Sequence, residues 1–421
     1  VKIRATGVGK DSTIERMAAL IRSAAENKSR AERLADRFAG IFLPIVGLVG
    51  LTGYFVTGNV NTMIAIFLVA CADDMAVAIP LAITASMGQA ARRGVVFKGG
   101  EWMDVAASIT TVVLDKTGTL TYGERRVSEA RLLPGTDPKM FWEHVAAAEK
   151  MIDQPLGRAM FNEALSHIGA ASDPESFENR AGRGVVASVS GKKVVIGSET
   201  LLQEEHIALD PDAAEAAQAL IHSRGVSAVY VALDGRCAGV VGIADVPRTE
   251  AAESIAALKR LGVRIVMLTG DTEEVAAYVA STLGIDEFRA RMLPEDKLRE
   301  VEKLMNEHKG IIAVVGDGIN DAPALARADV GIAMGTTGMA VAVEAADVVI
   351  LTDNLSRLPD IITLGRRTRS VVFGDMGLWL TTNAVGFTLV FTGFVGPALA
   401  AFYNFATDFL PIMNSARLFR R

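Results

Sequence analysis

The chain has 421 residues, of which 50% are hydrophobic, and a formal net charge of −6. This length leaves room for two or three domains, and a mean hydropathy of +0.30 is typical of membrane segments beside soluble domains. The acidic balance and the lack of a long basic run argue against nucleic acid as a partner. The two cysteines, Cys71 and Cys237, lie far apart and imply no disulfide framework.

Residues 1–36 are predicted to be soluble, with a strand at 1–6 and a helix that begins near Ile14 after the capping run Asp11-Ser12-Thr13. Because the chain opens with Val inside a strand-like stretch, we interpret it as a fragment.

Four apolar stretches are long enough to cross a bilayer as helices, at 38–56, 62–85, 378–394 and 397–413. The first two, within 37–94, form a helical hairpin, and the last two occupy the segment 366–421. Basic residues beside the spans (Arg92, Arg93, Arg366, Arg367 and Arg417 among them) put those ends in the cytoplasm.

The second span carries Cys71-Ala72-Asp73-Asp74 near its middle. Carboxylates at that depth are costly, so they indicate an ion or proton pathway, although aspartates that cap or pair with other helices are the alternative. In the last span, Asn404, Thr407 and Asp408 share one helical face. Interhelical hydrogen bonding explains such Asn and Thr residues as well as ion contact does.

Three β-branched strands each end in an acidic cluster. The first leads into Asp115-Lys116-Thr117-Gly118-Thr119, the second into Thr269-Gly270-Asp271, and the third into Asp317-Gly318-Ile319-Asn320-Asp321. Lys297 lies between the last two, at a helix start. Because ligands bind at the carboxyl ends of strands in open α/β sheets, we predict one phosphate and magnesium site at this edge.

The chemistry assigns a role to each member of this predicted site. Asp115 is the nucleophile that takes the γ-phosphoryl group of ATP, with Lys116 and Thr117 beside it. Magnesium prefers hard oxygen ligands, so Asp115, Thr117 and Asp317 are predicted to hold Mg²⁺. Lys297 and Thr269 would position the phosphoryl oxygens, and Asn320 and Asp321 would orient that shell.

The run Asp115 to Thr119, continued by Leu120-Thr121, resembles the phosphorylation motif of the P-type ATPases, within the haloacid dehalogenase superfamily. Many phosphatases of that superfamily have a second Asp two residues after the nucleophile, where this chain has Thr117. The resemblance implies a Rossmann-like α/β phosphorylation domain at 95–123 and 240–365, with an inserted α+β nucleotide-binding domain at 124–239.

The inserted domain resembles that of the heavy-metal (type IB) pumps. Their Ser-Glu-His-Pro-Leu-like motif corresponds to Ile152-Asp153-Gln154-Pro155-Leu156, so Gln154 replaces the adenine-side His. This resemblance implies that ATP contacts Glu149, Gln154 and Pro155. Gly182 and Gly184 are predicted to let the nucleotide approach the backbone, with hairpin turns as the alternative; Gly270 and Asp271 complete the set.

The membrane motifs resemble those of type IB pumps with oxygen in place of sulfur. Cys71-Ala72-Asp73 stands where copper pumps carry Cys-Pro-Cys, and Thr382-Asn383 where they carry Tyr-Asn. Copper(I) would lose its preferred ligands. The transported-ion ligands are therefore predicted to serve a divalent transition metal, with protons as the alternative; they are Cys71, Asp73, Asp74, Asn383, Asn404 and Asp408.

The sequence predicts a multidomain membrane protein that drives cation transport with ATP and Mg²⁺ through an aspartyl-phosphate. It would be integral to the plasma membrane, with cytoplasmic catalytic domains. The resemblance also implies that residues 1–36 are the end of the actuator domain and a connecting helix. The first membrane helices and most of the actuator domain, an N-terminal part of the same pump, would be missing. A proton-translocating ATPase, a membrane-tethered phosphatase or phosphotransferase, and a non-pumping regulatory subunit are the alternatives.

Overall fold

The computed structural model describes residues 30–70, 73–180, 182–224, 226–317, 321–335 and 343–419. The predicted strand at 1–6 and the helix near Ile14 lie outside them. The chain divides into two compact units. The first contains Val1–Val112, Ala257–Arg264 and Leu298–Arg421, and the second contains Val113–Ala256 and Ile265–Lys297.

The helices, in chain order, are α1 (Arg30–Thr57), α2 (Val60–Val69), α3 (Asp73–Arg92), α4 (Gly100–Ala106), α5 (Pro138–Glu149), α6 (Pro155–Ile168), α7 (Glu199–Glu204), α8 (Pro211–Arg224), α9 (Ala251–Arg260), α10 (Glu273–Leu283), α11 (Pro294–Glu307), α12 (Ala322–Arg327), α13 (Arg357–Phe391) and α14 (Pro397–Ala416). The strands are β1 (Val95–Phe97), β2 (Ile109–Asp115), β3 (Thr121–Leu132), β4 (Ser176–Arg180), β5 (Gly184–Val189), β6 (Lys192–Gly197), β7 (Ser227–Leu233), β8 (Arg236–Pro247), β9 (Arg264–Leu268), β10 (Glu287–Arg289), β11 (Ile311–Gly316), β12 (Val330–Met334) and β13 (Val348–Ile350).

The apolar helices of the first unit pack through small residues. A Cβ on Gly53 of α1 would lie 2.7 Å from Ile66, and one on Gly386 of α13 would lie 2.4 Å from Val69. Phe42 and Trp379 make an edge-on contact with 4.8 Å between ring centroids. Close approach of small residues is typical of helix packing in membranes, where lipid is as apolar as leucine.

Among the described helices, one has a segment that is long and apolar enough to span a membrane, Gly40–Thr57, with a mean hydropathy of 1.8. Only 17% of that segment is buried, so the packed core of a soluble domain does not account for it. Asn383 on α13 and Asn404 and Asp408 on α14 lower the hydropathy of the last two predicted spans. These helices nevertheless expose large apolar side chains: Leu380, Leu399, Phe402, Phe405 and Met413.

The predicted membrane-spanning stretch at 62–85 contains two helices. α2 ends at Val69, its cap Ala70 leaves helical geometry (φ −82°, ψ 53°), and α3 begins at Asp73. Cys71 and Ala72 lie outside the described residues.

Strands in the first unit follow the order β1-β13-β12-β11-β2. β12 pairs in parallel with β11 and β13, and β1 is antiparallel to β13. β2 runs on into the second unit, where its neighbour is β9, and β10 pairs in parallel with β9. The β2 burial pattern, with six of its seven residues buried, is that of a strand covered on both faces.

A six-stranded antiparallel sheet of order β3-β8-β7-β6-β5-β4 forms most of the second unit. Alternate side chains on a strand point to opposite faces, so each face has its own core. Ile196 and Val231 pack with α5 and α6, whereas Val195 and Tyr230 pack with α7 and α8. Strand β4, which the sequence analysis did not predict, is exposed along its length.

Candidate active site

The loop after β2 presents Asp115 at the carboxyl end of the strand. Gly118 adopts a positive φ of 76°, which reverses the chain within five residues at little steric cost. Its N–H donates to the Thr121 hydroxyl at 3.2 Å, and that hydroxyl donates to Asp245 Oδ2 at 2.6 Å. These bonds anchor the turn, so the position of Asp115 is set by the fold.

Two lysine–carboxylate pairs lie at this end of the second unit. Lys297 Nζ donates to Asp115 Oδ1 at 2.6 Å, and both side chains are about nine-tenths buried. Lys116 Nζ lies 2.6 Å from Asp271 Oδ2 and 3.7 Å from Asp245 Oδ2. Buried charges at these distances interact much more strongly than exposed ones. The lysines therefore neutralise the carboxylates and can also attract a phosphate.

Thr269 and Asp271 are tied together at the end of β9. The Thr269 hydroxyl donates to Asp271 Oδ2 at 3.1 Å and accepts from the Asp271 N–H at 3.1 Å. Thr269 is buried, while Gly270 is exposed and lies against the Met292 carbonyl. The structure thus brings together Asp115, Lys116, Thr269, Asp271 and Lys297, as the sequence predicted; Thr117, also a predicted member, has an exposed side chain.

Arg248 and Asp245 belong to this site and were not predicted. Arg248, 3% exposed, donates from Nε to the Thr119 carbonyl and from Nη2 to the Gly118 carbonyl, both at 2.8 Å. Burial raises the pKa of Asp245, against the opposing effects of the Thr121 hydrogen bond and the Lys116 ammonium. The one sequence feature that could have indicated these two residues is an acid and an arginine on either side of Pro247, at the end of a strand.

A small cavity of about 60 Å³ lies beside these groups, lined by Lys116, Thr117, Asp245 and Asp271 among others. The Thr119 hydroxyl is buried and, among the described residues, has no hydrogen-bond partner. Buried polar groups normally have one, and an orphan hydroxyl fits a site that receives a polar ligand. Ammonium groups and a hydroxyl are suitable donors to phosphate oxygens.

In the first unit, Asp317 follows β11 and Asp321 precedes α12, where it is buried. A Cβ on Gly316 would lie 2.7 Å from Asp321 Oδ2, so only glycine leaves room for this carboxylate. Asn320, the remaining predicted member, lies outside the described residues. Carboxylate oxygens are the donors that Mg²⁺ prefers, so the chemistry of Asp317 and Asp321 in the first unit, like that of Asp115 in the second, fits that ion.

One of the predicted nucleotide residues, Glu149, is a buried carboxylate. Glu149, at the end of α5, is 2% exposed, and burial raises its pKa to about 7. Its Oε2 has no hydrogen-bond partner among the described residues. A Cβ on Gly157 would lie 2.6 Å from that oxygen. Gln154 caps α6 and, with Pro155, is exposed.

The two predicted nucleotide glycines have different structural roles. Gly182 takes a φ of 74° at the turn before β5, with open space around its Cα. Gly184 is needed for packing, because a Cβ there would lie 2.0 Å from the Ile196 carbonyl oxygen. Hairpin geometry alone therefore accounts for Gly184.

A wide cleft of about 660 Å³ separates the start of β3 from α6. Its lining includes Arg125, Arg126, Asp153, Pro155 and Arg158. Arg126 pairs with Glu124 and Arg158 with Asp153 at its rim. The cleft is large enough for a nucleotide, and its arginines are suitable partners for phosphates.

The described part of the predicted ion site lies on α13 and α14. Asn383 is 6% exposed and donates to the Trp379 carbonyl at 2.9 Å; its Oδ1 is buried and has no hydrogen-bond partner in the part of the chain that the structure describes. Asn404 Nδ2 lies 3.4 Å from Asp408 Oδ2. Thr407 instead donates to carbonyls of its own helix. Cys71 and the side chains of Asp73 and Asp74 lie outside the described residues.

A lysine holds a buried aspartate at the end of a strand, and a threonine and a second lysine–aspartate pair lie beside it. This arrangement is suited to phosphoryl transfer. The profile of the haloacid dehalogenase-like hydrolases matches residues 109–329. That segment covers just over half of the chain and begins at β2. The class of protein is therefore a hydrolase of this family.

Relatives of known function narrow the family. The chain is 36% identical over 417 residues to the manganese-exporting P-type ATPase of Mycobacterium leprae (strain TN), covering 99% of this chain and 57% of that protein. It is 36% identical over 415 residues to the zinc-exporting P-type ATPase of Mycobacterium marinum (strain ATCC BAA-535 / M), with 98% and 56% coverage. The chain thus spans little more than half the length of these curated relatives.

Among solved structures, a zinc-transporting PIB-type ATPase in the E2.Pi state superposes with a TM-score of 0.82 at 33% identity, over 98% of this chain and 68% of that one. The chain belongs to the heavy-metal (type IB) group of the P-type ATPases. This confirms the predicted fold class, a multidomain membrane protein with a haloacid dehalogenase-like α/β domain and an inserted α+β domain.

Proposed function

We propose that the chain is the catalytic part of an ATP-driven pump that moves a divalent transition-metal ion across a membrane through an aspartyl-phosphate. The observation that carries this proposal is the 2.6 Å contact between Lys297 Nζ and Asp115 Oδ1. A lysine that close neutralises the nucleophile's charge and can then turn to the incoming phosphoryl oxygens.

In the proposed reaction, a carboxylate oxygen of Asp115 attacks the γ-phosphorus of ATP. An Asp–O–P bond forms, the bond between the γ-phosphorus and the bridging oxygen breaks, and ADP leaves with that electron pair. Lys297 and Thr269 stabilise charge on the phosphoryl oxygens. Arg248 holds the loop at Gly118 and Thr119, so the nucleophile does not have to be repositioned in the transition state.

Mg²⁺ would be held by Asp115, Thr117 and Asp317, with Asn320 and Asp321 orienting that shell. When bound, the ion neutralises charge on the phosphates and aligns them. The buried, partnerless Thr119 hydroxyl and the Lys116 ammonium support a phosphate at the same loop.

The adenine of ATP would lie against Glu149, Gln154 and Pro155, with Gly182, Gly184, Gly270 and Asp271 completing the nucleotide site. The partnerless Oε2 of Glu149 supports this placement, because a buried carboxyl can accept from the adenine amino group. The cleft beside Pro155 and Arg158 supports a route for the triphosphate.

The transported ion would be bound in the membrane by Cys71, Asp73, Asp74, Asn383, Asn404 and Asp408. The buried Oδ1 of Asn383 supports a ligand there. These oxygen-rich donors suit a hard or borderline divalent ion better than copper(I). The manganese- and zinc-exporting relatives support export of one of those metals. In this proposal the pump lies in the plasma membrane, its catalytic units are in the cytoplasm, and further sequence supplies the other part of the pump.

The test is ATP hydrolysis by the full pump in detergent across a panel of metal ions and pH values. Stimulation by one divalent metal supports the proposal and names the ion. Activity that follows pH and ignores added metals would instead identify a proton pump. Hydrolysis of simple phosphate esters without a stable phosphoenzyme would identify a phosphatase. This alternative is already disfavoured, because the residue two positions after Asp115 is Thr117 and not a second Asp.

A further inference from the structure

A buried aspartate, Asp375, connects three of the membrane helices at a place away from the ion-site residues. Asp375 on α13 and Ser415 on α14 are fully buried. Ser415 Oγ lies 2.6 Å from Asp375 Oδ2 and 2.8 Å from the carbonyl oxygen of Ala78 on α3. Asn414 Nδ2 donates to Asp375 Oδ1 at 2.9 Å. Each of the three helices therefore contributes to one small polar cluster.

The hydrogens in this cluster can be counted. A serine hydroxyl has one hydrogen, and a carbonyl oxygen can only accept. If Ser415 donates to Ala78, the 2.6 Å contact with Asp375 Oδ2 needs a hydrogen on the carboxyl group. Arg417 donates to Asn414 Oδ1 at 3.1 Å, which orients the amide so that Nδ2 faces Asp375. A neutral carboxylic acid completes the chain of bonds from Asp375 through Ser415 to Ala78.

The surroundings favour the neutral form. The apolar side chains packed in this region include Ile79, Ile83, Val372 and Trp379. An ionised carboxylate without a cation is costly in such a place. The described contacts of the Asp375 carboxyl group are with Asn414 and Ser415, and neither is charged.

The described charged groups considered on α3, α13 and α14 bond to other partners or lie further along the helix axis. Arg417 bonds to Asn414, and Arg367 of α13 bonds to the Arg417 carbonyl. Asp408 lies seven residues before Ser415 on α14, about 10 Å along the axis. On α3, Arg92 is 14 residues beyond Ala78, roughly 21 Å away; the side chains of Asp73 and Asp74 lie outside the described residues.

We propose that Asp375 is a proton-binding site whose bound proton links α3 to α13 and α14. The bond that crosses to α3 runs from Ser415 to Ala78, and it is available only while Asp375 supplies the next hydrogen. Ionisation of Asp375 would draw the Ser415 hydrogen to Oδ2 and release Ala78. Since α3 carries the predicted ion motif at its start, loss of this proton would free that helix to move.

The test compares thermal unfolding of the chain and of Asp375→Asn in lipid nanodiscs between about pH 4 and 8. The amide reproduces the neutral acid, because Nδ2 can donate to Ser415 and Oδ1 can accept from Asn414. Above the ordinary aspartate pKa, the unfolded chain has an ionised Asp375, so folding must take up a proton. The free-energy cost of this uptake increases as the pH rises. The variant should therefore match the wild-type Tm near pH 4 and exceed it by about 2–4 °C near pH 8.

Asp360→Asn is the matched control, because it removes an aspartate from the same helix that pairs with Arg93 and Arg357. The Tm of this control variant should depend on pH as the wild-type Tm does. Infrared spectra at pH 7 give an independent readout: the carbonyl band of protonated carboxylic acids, to which Glu149 also contributes, should lose the Asp375 component in Asp375→Asn and keep it in the control. A lower Tm for Asp375→Asn at pH 8, its failure to fold, or an unchanged band would overturn the proposal. These readouts need no ATPase activity, so they stand or fall separately from the proposed transport function.

Discussion

Lys297 and Asp115 are 182 residues apart in the sequence, yet the lysine Nζ donates to the carboxylate Oδ1 at 2.6 Å. Both side chains are almost buried, so each charge depends on the other. Lys297→Met removes the ammonium while keeping much of the stem. We expect phosphorylation from ATP to fall at least about 100-fold, measured as acid-stable label. Lys303→Met, on the exposed side of the same helix, should label normally; comparable loss in both variants would remove Lys297 from the phosphoryl site.

Asp115→Asn removes the nucleophile and keeps the shape of the side chain. Acid-stable phosphorylation from ATP should be abolished, because an amide oxygen cannot form the acyl-phosphate. Asp173→Asn, at an exposed aspartate that pairs with Lys150, serves as the control for loss of a carboxylate. Normal labelling of Asp115→Asn would place the phosphorylated residue elsewhere.

Arg248 fixes the phosphorylation loop through the carbonyls of Gly118 and Thr119. Arg248→Ala leaves both carbonyls buried without this donor, which costs about 1–3 kcal/mol for each such group. We expect a lower Tm together with a phosphorylation rate reduced by about tenfold or more. Arg260→Ala, at an exposed position of α9, should change neither quantity. Full activity in Arg248→Ala would show that the loop holds its geometry without the guanidinium.

Burial raises the pKa of Glu149 from 4.5 to about 7. Because the folded-state value is the higher one, the protonated form stabilises the fold fully below about pH 4.5. That contribution, roughly 3 kcal/mol, is lost as the pH rises towards 7. Thermal unfolding should show Glu149→Gln gaining stability relative to wild type across this range and no further above it. Glu163→Gln, at the rim of the wide cleft, is the control and should follow wild type.

Asp408 and Asp74 are proposed ligands of the transported ion. Asp408→Ala or Asp74→Ala should abolish ion stimulation of ATP hydrolysis by the full pump while sparing phosphorylation from inorganic phosphate. Thr381→Ala, whose hydroxyl bonds to a carbonyl of its own helix, is the control. Unchanged ion dependence in both aspartate variants would move the transport site to other residues.

The grouping of Asp115 with Thr269 could be predicted because both residues follow strands. Each ends a β-branched run, and the topology of a parallel sheet directs such ends to one edge. Arg248 and Asp245 could not be found in this way. They act on a loop more than 120 residues earlier, at carbonyls and a hydroxyl that carry no signal in their own local sequence.

The membrane part was predicted less well, because hydropathy reports composition and not continuity. The stretch 62–85 is apolar enough for one helix, but the chain leaves helical geometry at Ala70. Asp375 was missed for a related reason: it precedes the predicted third span and looks like an ordinary flanking charge. Its burial depends on α14, whose last turn brings Asn414 and Ser415 to it.

Helix α13 runs unbroken for 35 residues, about 52 Å. Near its start, Arg366 bonds to the Leu261 carbonyl and Arg369 to the Asp104 carbonyl, while its far half carries Asn383 and ends at Phe391. If such a helix moved as a rigid body, a tilt of about 5° near Arg369 would displace its far end at Phe391 by roughly 3 Å.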